Sequence, residues 1–316
     1  MSFSYDVKEE MAKHTSSARH CQIAELSAIV AFCGSLRKEN GKDALVISMD
    51  RESLFRKCFT LLKKTYNIDD ASARVLPGKG DSNGRYEIVI TDYDKVWDIF
   101  KGLKLIDKES RFLGFSHSTD PLLIKNACCR RSYLRGVFLC AGSMSDPGKG
   151  YHLEMVCESS EQAKQIAQVL LTFEIEAKTI CRKKYFVVYI KEGSSIVEFL
   201  GLCEAHVSLM EFENRRILKE MSNSINRKVN CETANIAKTV RAANRQVEDI
   251  LYLQKVYGFH KLPGSLREMA QVRLDNPDAT LQELGKLLDP PVGKSGVNHR
   301  LRKLSELADE RRSYDQ

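Results

Sequence analysis

The segments LSAIVAFCGSL at 26–36 and LRGVFLCAGSM at 134–144 decide the fold of this 316-residue chain. They align without a gap, and each is an apolar run that ends at a glycine, Gly34 in the first segment and Gly142 in the second. The same register continues into the strand-like runs that follow each segment. An alignment that persists this far predicts an internal repeat, in which two copies of one structural unit pack together.

Both copies contain the same order of predicted elements, α-β-β-α-β-β-α, from apolar residues at helical spacing and from strand-like runs. In the first copy the elements after the apolar helix include a strand at 44–50, a helix at 52–66, a hairpin of 73–76 and 85–90 turning at Asn83-Gly84, and a helix at 95–103. Their counterparts in the second copy are at 152–158, 160–173, 178–181, 185–190 and 195–202, the last opening with a capping box of Ser195 and Glu198.

This order, with a Gly-terminated apolar helix at the start of each copy, resembles the LAGLIDADG homing-endonuclease fold in its single-chain, pseudo-symmetric form. The resemblance covers roughly residues 20–205. It implies that the two apolar helices pack against each other, which requires small residues at the contact, and Ala28 and Gly136 occupy those positions. It also implies a saddle of two β-sheets. The sequence does not decide whether this saddle binds DNA, a protein partner or a small ligand.

The same resemblance argues against nuclease chemistry. Members of that fold family hold divalent metals with a carboxylate placed just before the terminal glycine of each signature helix. Cys33 and Ala141 stand there, so neither copy supplies an oxygen ligand for a hard cation. We therefore predict no catalytic residue, no metal and no cofactor. Turn-forming roles are predicted for Asp43 and Asp146. The strand residues Arg74, Arg85, Lys183 and Lys184 are expected to be solvated, and phosphate contacts are the alternative.

The composition is typical of a globular protein that carries no export signal or membrane span. Hydrophobic residues make up 43% of the chain and charged residues 29%, with a formal net charge of +7, which suits nucleic acid only if the basic residues cluster. The first 20 residues lack the apolar run of a signal peptide, and the apolar stretch at 23–33 is too short to cross a bilayer. We expect a cytoplasmic protein.

The ten cysteines are spread along the chain without a Cys-x-x-Cys pair. Without a secretory signal they are expected to be reduced thiols rather than a disulfide framework. Cys128 and Cys129 form the one cluster in the sequence, and no neighbouring His or Cys completes a tetrahedral set around them. The sequence thus gives no support for a metal site there.

The last third of the chain is charged and helical, without strand-like alternation. A helix is predicted to run to about Tyr257, with Ala237, Val240, Val247 and Leu251 on its apolar face. A basic stripe is expected beside that face to contact phosphate, consisting of Arg227, Lys238, Arg241 and Arg245.

A helix-turn-helix is predicted at 280–308. Capping boxes at Ser265 to Glu268 and at Thr280 to Glu283 predict two helix starts, and the prolines after Asp289 end the second helix. A new helix near Ser295 turns Val297, Leu301, Leu304 and Leu307 inward. Candidate DNA-binding residues on this recognition helix are Lys294, Ser295, Asn298, His299, Arg300, Arg302 and Lys303, since Arg and Asn pair with base edges and a helix start binds phosphate.

The segment from Leu281 to Leu304, together with NRKVNCETANIAK at 226–238, resembles the C-terminal module of the WhiA family of bacterial regulators. With the degenerate LAGLIDADG halves in front, this resemblance spans nearly the whole chain. It implies an α+β, pseudo-symmetric LAGLIDADG-like domain followed by an all-α helix-turn-helix domain. It also implies a DNA-binding transcriptional regulator of sporulation, or of cell division and chromosome organisation, located at the nucleoid.

The predicted domain order is an N-terminal segment 1–20, two halves at 21–127 and 128–207, and a helical DNA-binding domain at 208–316. Double-stranded DNA is the expected partner, and the internal symmetry favours a monomer. Two alternatives remain: a nucleoid-associated scaffold that acts through a protein partner, and an active nuclease or maturase-like RNA factor.

Overall fold

The computed structural model describes residues 2–39, 41–69, 73–76, 86–109, 111–115 and 118–314, with side chains except at 42 and 73–76. The predicted turn at Asn83-Gly84, Arg85 and the side chain of Arg74 lie outside what is described. The chain divides into two compact units, Met1–Glu220 and Met221–Gln316.

The first unit contains the repeat in the predicted order. After α1 (Phe3–Lys13), the first copy consists of α2 (Arg19–Cys33), β1 (Gly34–Glu39), β2 (Lys42–Met49), α3 (Glu52–Tyr66), β3 (Ala73–Leu76), β4 (Tyr86–Ile90) and α4 (Tyr93–Gly102). The second copy consists of α5 (Ala127–Ala141), β5 (Gly142–Met144), β6 (Leu153–Cys157), α6 (Ser160–Leu171), β7 (Lys178–Arg182), β8 (Tyr185–Ile190) and α7 (Gly193–Leu202). The α-β-β-α-β-β-α order is confirmed in both copies.

Each copy forms an antiparallel four-stranded sheet within the described residues. The strand orders are β1-β2-β4-β3 and β5-β6-β8-β7, so the two sheets share one topology. Leu45 pairs with Ile90 in the first sheet, and its predicted equivalent, Leu153, pairs with Ile190 in the second. Equal register in both sheets supports the sequence alignment residue by residue.

Helices α2 and α5 pack against each other at the centre of the first unit, and the contact depends on Gly136. A Cβ atom at Gly136 would lie 2.7 Å from the backbone oxygen of Glu25 and 2.9 Å from Cβ of Ala28. Real Cβ atoms do not approach other atoms so closely, so only glycine allows the two backbones to come this near. The predicted contact of Ala28 with Gly136 is confirmed.

A buried polar pair occupies the same place in each copy. Glu25 on α2 is fully buried and forms a 2.9 Å ion pair with Nζ of Lys57 on α3. The repeat alignment places Tyr133 at the position of Glu25 and Gln165 at that of Lys57, and there the Tyr133 hydroxyl lies 3.1 Å from the Gln165 Oε1 that accepts its hydrogen bond. Glu25 also accepts hydrogen bonds of 3.0 and 3.1 Å from Arg135, so one carboxylate serves two buried cations.

The N-terminal segment forms a helix, α1, that belongs to the core of the first unit. Phe3, Val7 and Met11 are buried in it, and the hydroxyl of Ser4 accepts a 3.1 Å hydrogen bond from the backbone N–H of Met144 at the end of β5. The α1 helix therefore packs beside the C-terminal end of α5.

The second unit is all helical. It contains the end of α8 (His206–Val256), a 3-10 turn (Phe259–Lys261), α9 (Gly264–Asp275), α10 (Leu281–Lys286) and α11 (Lys294–Tyr314). The boundary between the units falls within α8, and Phe212 near its start belongs to the core of the first unit. The α+β fold followed by a helical domain agrees with the prediction.

The face of α8 predicted to be apolar is not the buried one. Val240 and Leu251 are about half exposed, whereas Ala243, Ile250 and Leu253 are buried. Both the predicted set and the buried set of apolar residues recur at helical spacing. Which of the two sets is buried depends on the helices that pack against α8.

Two of the three predicted capping boxes are wrong. Helix α7 begins at Gly193 after Glu192, and α9 begins at Gly264 after Pro263, so Ser195 and Ser265 lie inside helices rather than at their caps. The third is confirmed, because the Thr280 hydroxyl accepts from the N–H of Glu283 while the Glu283 carboxylate accepts from the N–H of Thr280. No helix in the described ranges is long and apolar enough to span a membrane.

Candidate nucleic-acid interface

The helix-turn-helix is formed by α10, the following turn and α11, and its tightness depends on Gly285. The backbone N–H of Val292 in the turn donates to the carbonyl of Gly285 at 2.9 Å. A Cβ at Gly285 would lie 2.0 Å from the Val292 backbone oxygen, and one at Gly296 would lie 2.4 Å from a Val292 methyl group. Both glycines let the chain fold back closely enough for α11 to pack on α10.

The first turn of α11 offers free backbone donors. The carbonyl of Gly293 accepts from the N–H groups of Gly296 and Val297, so the helix begins at Lys294. The N–H groups at the first positions of an α-helix have no partner within the helix and carry the positive end of its dipole. Because Lys294 and Ser295 are exposed there, this end of α11 is suited to bind a phosphate.

One side of α11 is buried and the opposite side carries most of the predicted recognition residues. Val297, Leu301, Leu304 and Ala308 are buried in the core of the second unit, as predicted for the first three. At 3.6 residues per turn, one exposed face within an arc of roughly 140° contains Ser295, Asn298, His299, Arg302 and Lys303, with Asn298 and Lys303 at its two edges. The structure brings these five predicted residues together.

Arg300 does not lie on that face. It is half-buried at the other edge of the buried side, and its Nη1 lies 3.9 Å from a carboxylate oxygen of Glu268 on α9. The other carboxylate oxygen of Glu268 accepts a 2.8 Å hydrogen bond from the N–H of Asp289 in the turn. Arg300 is therefore placed to hold the turn against α9, unlike the neighbouring Arg302.

The basic stripe on α8 is exposed and begins beside the recognition face. Arg227, Lys238 and Arg241 are exposed. Lys238 and Asn298 line the same shallow groove between α8 and α11. Arg245 differs from them, because its guanidinium pairs with Asp309 at 3.0 Å and therefore helps fix α8 to α11.

Acidic residues confine the positive face to the first half of α11. Arg302 lies 3.2 Å from Glu306, and Asp309 and Glu310 follow in the next turn. Phosphates would thus be attracted to the N-terminal half of α11, whereas in the C-terminal half the carboxylates largely cancel the charges of Arg311 and Arg312. This polarity fits a helix that presents its N-terminal turns to the major groove.

The last residues of the two signature helices in the first unit are not carboxylates. Cys33 ends α2 and Ala141 ends α5. Beside them lies the buried Lys8 of α1, whose Nζ is 5.8 Å from the centre of the Phe138 ring. Burial lowers the pKa of Lys8, and nearby Arg51 lowers it further. The side-chain nitrogen of Lys8 thus lies close to the ends of α2 and α5, where the metal-binding carboxylates of the homing-endonuclease fold would stand.

Asp146 forms the predicted turn, since its carboxylate accepts a 2.8 Å hydrogen bond from the N–H of Gly148. It also forms a 3.0 Å ion pair with Arg215. Asp43 lies in β2 opposite Lys38 instead of in a turn. Hydrogen bonds from Gly148 and then the Arg215 guanidinium hold the pKa of Asp146 below its usual range.

Comparison with known proteins shows relatives along the full chain. It is 46% identical over 310 residues to a "Probable cell division protein WhiA" of Lachnoclostridium phytofermentans, covering 98% of this chain and 99% of that protein. The chain belongs to the WhiA family. A second WhiA protein, of Alkaliphilus oremlandii, is 45% identical and covers 98% of this chain and 97% of its own length.

Family models agree with the order of the modules. The WhiA N-terminal LAGLIDADG-like domain matches residues 19–106, the WhiA LAGLIDADG-like domain matches 130–222, and the WhiA C-terminal HTH domain matches 225–308. The crystal structure of full-length WhiA from Thermatoga maritima superposes with a TM-score of 0.57 at 25% identity, covering 98% of this chain and 99% of that one. The family resemblance seen in the sequence is confirmed.

Sequence reasoning missed three residues that shape these sites. Lys8 lies in a segment set aside as a tail, Glu268 was interpreted as part of a capping box, and Gly285 stood unremarked inside a family motif. A signal existed for Gly285, because a glycine inside a short amphipathic helix is costly unless something packs closely on it. For Lys8 and Glu268 no local pattern indicates the long-range contact.

Proposed function

We propose that this chain is a sequence-selective double-stranded DNA-binding regulator that inserts the N-terminal half of α11 into the major groove. The supporting observation is the single exposed face that combines Asn298 and Arg302 with the free helix start at Ser295. Asn and Arg side chains pair in bidentate fashion with adenine and guanine edges, respectively. His299 and Lys303 extend the same face along the groove.

Phosphate contacts are assigned to the surrounding cations. Lys294 and Ser295 bind one phosphate at the start of α11, and Arg227, Lys238 and Arg241 of α8 contact the neighbouring backbone. Such contacts set orientation and affinity without reading sequence. Arg245 and Arg300 are expected to contribute indirectly, because each already pairs with a carboxylate that positions α11.

The relatives are named probable cell division proteins, which supports a proposal for the biological role. We propose that the chain acts in the cytoplasm at the nucleoid, controlling genes of cell division and chromosome organisation and, in sporulating bacteria, of sporulation. We further propose a DNA-binding domain at 208–316, LAGLIDADG-like halves at 21–127 and 128–207, and binding as a monomer, since the internal repeat already supplies the pseudo-twofold symmetry of the fold.

The LAGLIDADG-like unit is proposed to have no nuclease activity. Two-metal cleavage requires carboxylates at the helix ends, whereas Cys33 and Ala141 stand there with the side chain of Lys8 close by. A protein partner bound to this unit, with the helical domain serving only as a tether, is the competing function. The experiment below separates the two.

The test is to enrich fragments of sheared genomic DNA on the full chain and measure their binding by fluorescence anisotropy with Mg²⁺ present. The double variant Asn298→Ala, Arg302→Ala is expected to lose selection among fragments, because each bidentate contact discriminates bases by roughly 1–3 kcal/mol. The matched control is Arg311→Ala, an exposed arginine of the same helix beyond the recognition face.

Unchanged fragment selection by the double variant would overturn the assignment of the reading face. Retained cell-division effects in cells with this variant would favour the tether with a protein partner. Cut or nicked DNA in the Mg²⁺ reaction would show that the LAGLIDADG-like unit is a nuclease after all.

A further inference from the structure

Four potential metal ligands converge at the N-terminal ends of α2 and α5. They are His20 and Cys21 at the start of α2, and Cys128 and Cys129 at the start of α5. The sequence argued against a metal here, because no His or Cys next to the cysteine pair in the chain completes a tetrahedral set. That reason fails, because the packing of α2 on α5 brings in a His and a Cys from more than a hundred residues earlier in the chain.

The two pairs occupy equivalent positions in the repeat. The alignment that pairs Leu26 with Leu134 also pairs His20 with Cys128 and Cys21 with Cys129. Each pair therefore lies on the second and third residues of its helix, one residue after Arg19 in α2 and after Ala127 in α5. The pseudo-twofold axis of the first unit places the two dipeptides face to face.

The distances fit a tetrahedral site. The ligand atoms of all four residues lie within 4.8 Å of one another. Nδ1 of His20 is 3.1 Å from Sγ of Cys129 and 3.4 Å from Sγ of Cys21. A zinc ion with Zn–S distances of about 2.3 Å and Zn–N distances of about 2.0 Å separates its ligand atoms by roughly 3.5 to 3.8 Å, so small side-chain shifts suffice.

The surroundings fit a metal site that is closed by packing on one side and open to solvent on the other. Cys21 and Cys129 are buried at 3% exposure and pack against Ala24, which keeps water from one side of the site. Cys128 and His20 are exposed, which leaves an entry path for an ion. Both dipeptides lie in the first turn of their helices, where the positive end of the helix dipole favours a negatively charged ligand set.

We propose that His20, Cys21, Cys128 and Cys129 bind one Zn²⁺ ion that joins the two halves of the LAGLIDADG-like unit. Three thiolates and one imidazole form a closed four-coordinate set of the kind that structural zinc sites use, whereas hard cations prefer oxygen ligands. On binding, the three thiols release their protons to solvent and the ion carries a single net negative charge with its ligands. No electron transfer is involved.

The site would lie at the end of α2 and α5 opposite to the degenerate nuclease centre. A 15-residue helix is about 22 Å long, so the zinc ion and the Gly34 and Gly142 caps are separated by roughly that distance. Zinc binding is therefore independent of the absence of metal-binding carboxylates at the other end. Its role is structural, because all four coordination positions are filled by protein.

The test is metal analysis of the full chain, expressed without a histidine tag and purified under reducing conditions. We expect about one zinc ion per chain, and on exchange with Co²⁺ the visible absorption of a tetrahedral thiolate site. The exposed variants Cys128→Ser and His20→Asn are expected to weaken binding by about tenfold or more in a chelator competition, since even an outer-shell change has that effect.

Cys181→Ser and Cys231→Ser are the matched controls, because both cysteines are exposed and lie elsewhere in the chain. They should retain full zinc content. The proposal is overturned if the wild-type chain contains no zinc and gives no cobalt spectrum. It is equally overturned if the folded Cys128→Ser, Cys129→Ser double variant keeps its zinc.

Discussion

At the scale of single residues, two close backbone contacts show positions where the fold tolerates only glycine. Gly136 allows α2 and α5 to pack, and Gly285 allows the turn of the helix-turn-helix to fold back on α10. Both contacts involve backbone oxygens, which cannot move aside as the end of a flexible side chain can. Substitution at either site must therefore displace a helix.

Gly285→Ala is expected to destabilise the second unit by about 2 kcal/mol or more, because overpacking against fixed atoms typically costs 1–3 kcal/mol. Hydrogen exchange of peptides from α9 to α11 measures the effect. Gly264→Ala is the control, since a Cβ there meets nothing within 4 Å. Equal protection in both variants would contradict the tight turn.

Glu25→Gln is expected to lower the free energy of unfolding of the first unit by about 3–5 kcal/mol, because removing one partner from a buried ion pair leaves an uncompensated charge. Lys57 would lose the carboxylate with which it pairs, and Arg135 would keep only its 2.9 Å ion pair with Glu204. Urea unfolding followed by the fluorescence of Trp97, the sole tryptophan of the chain, reports on this unit. The exposed Glu52→Gln variant is the control, and a loss below about 1 kcal/mol for Glu25→Gln would refute the argument.

At the scale of elements, different sides of α11 have different roles, one facing solvent as the recognition face and another packing against α9. Arg302 lies on the exposed recognition face, whereas Arg300 lies beside Glu268 of α9 and helps hold the turn. The two arginines are two residues apart and therefore point in different directions on a helix. Sequence alone treats them as one basic patch.

Arg302→Ala is expected to weaken binding to a selected DNA fragment by roughly tenfold, while the stability of the second unit stays unchanged. Arg300→Ala is expected to have a smaller effect on selectivity and a measurable effect on hydrogen exchange in α9 and the turn. Anisotropy titrations and peptide exchange on both variants make the comparison. The reverse pattern would show that Arg300 reads bases.

At the scale of the whole molecule, the net charge of +7 is distributed over both units. In the second unit, exposed basic residues are concentrated on α8 and on the first half of α11. Binding that releases counterions from DNA depends steeply on salt, and each lost phosphate contact lowers the slope of log K against log salt by about one.

The double variant Lys238→Ala, Arg241→Ala is expected to weaken binding to all sequences alike and to lower that slope by about two. Asn298→Ala should change sequence preference and leave the slope unaltered. Lys255→Ala serves as a control, since it is exposed near the end of the same helix. A slope that stays at the wild-type value would place the phosphate contacts elsewhere.

The sequence by itself determined the repeat, the order of its elements, the loss of the nuclease carboxylates and the helix-turn-helix with its inward residues. These features depend on local periodicity, on glycine and proline at element ends, and on an alignment of the chain with itself. For the same reason α3, β3 and β8 begin and end at the predicted residues.

Only the tertiary structure decided which polar residues meet. Lys8 lies beside the ends of α2 and α5, Glu25 pairs with Lys57 and Arg135, and two dipeptides from different halves converge on one candidate zinc site. Each of these contacts joins residues that are far apart in the chain, and no local pattern encodes such a distance. The capping boxes expected at Ser195 and Ser265 failed because α7 and α9 begin earlier in the sequence, after Glu192 and Pro263, without a side-chain cap.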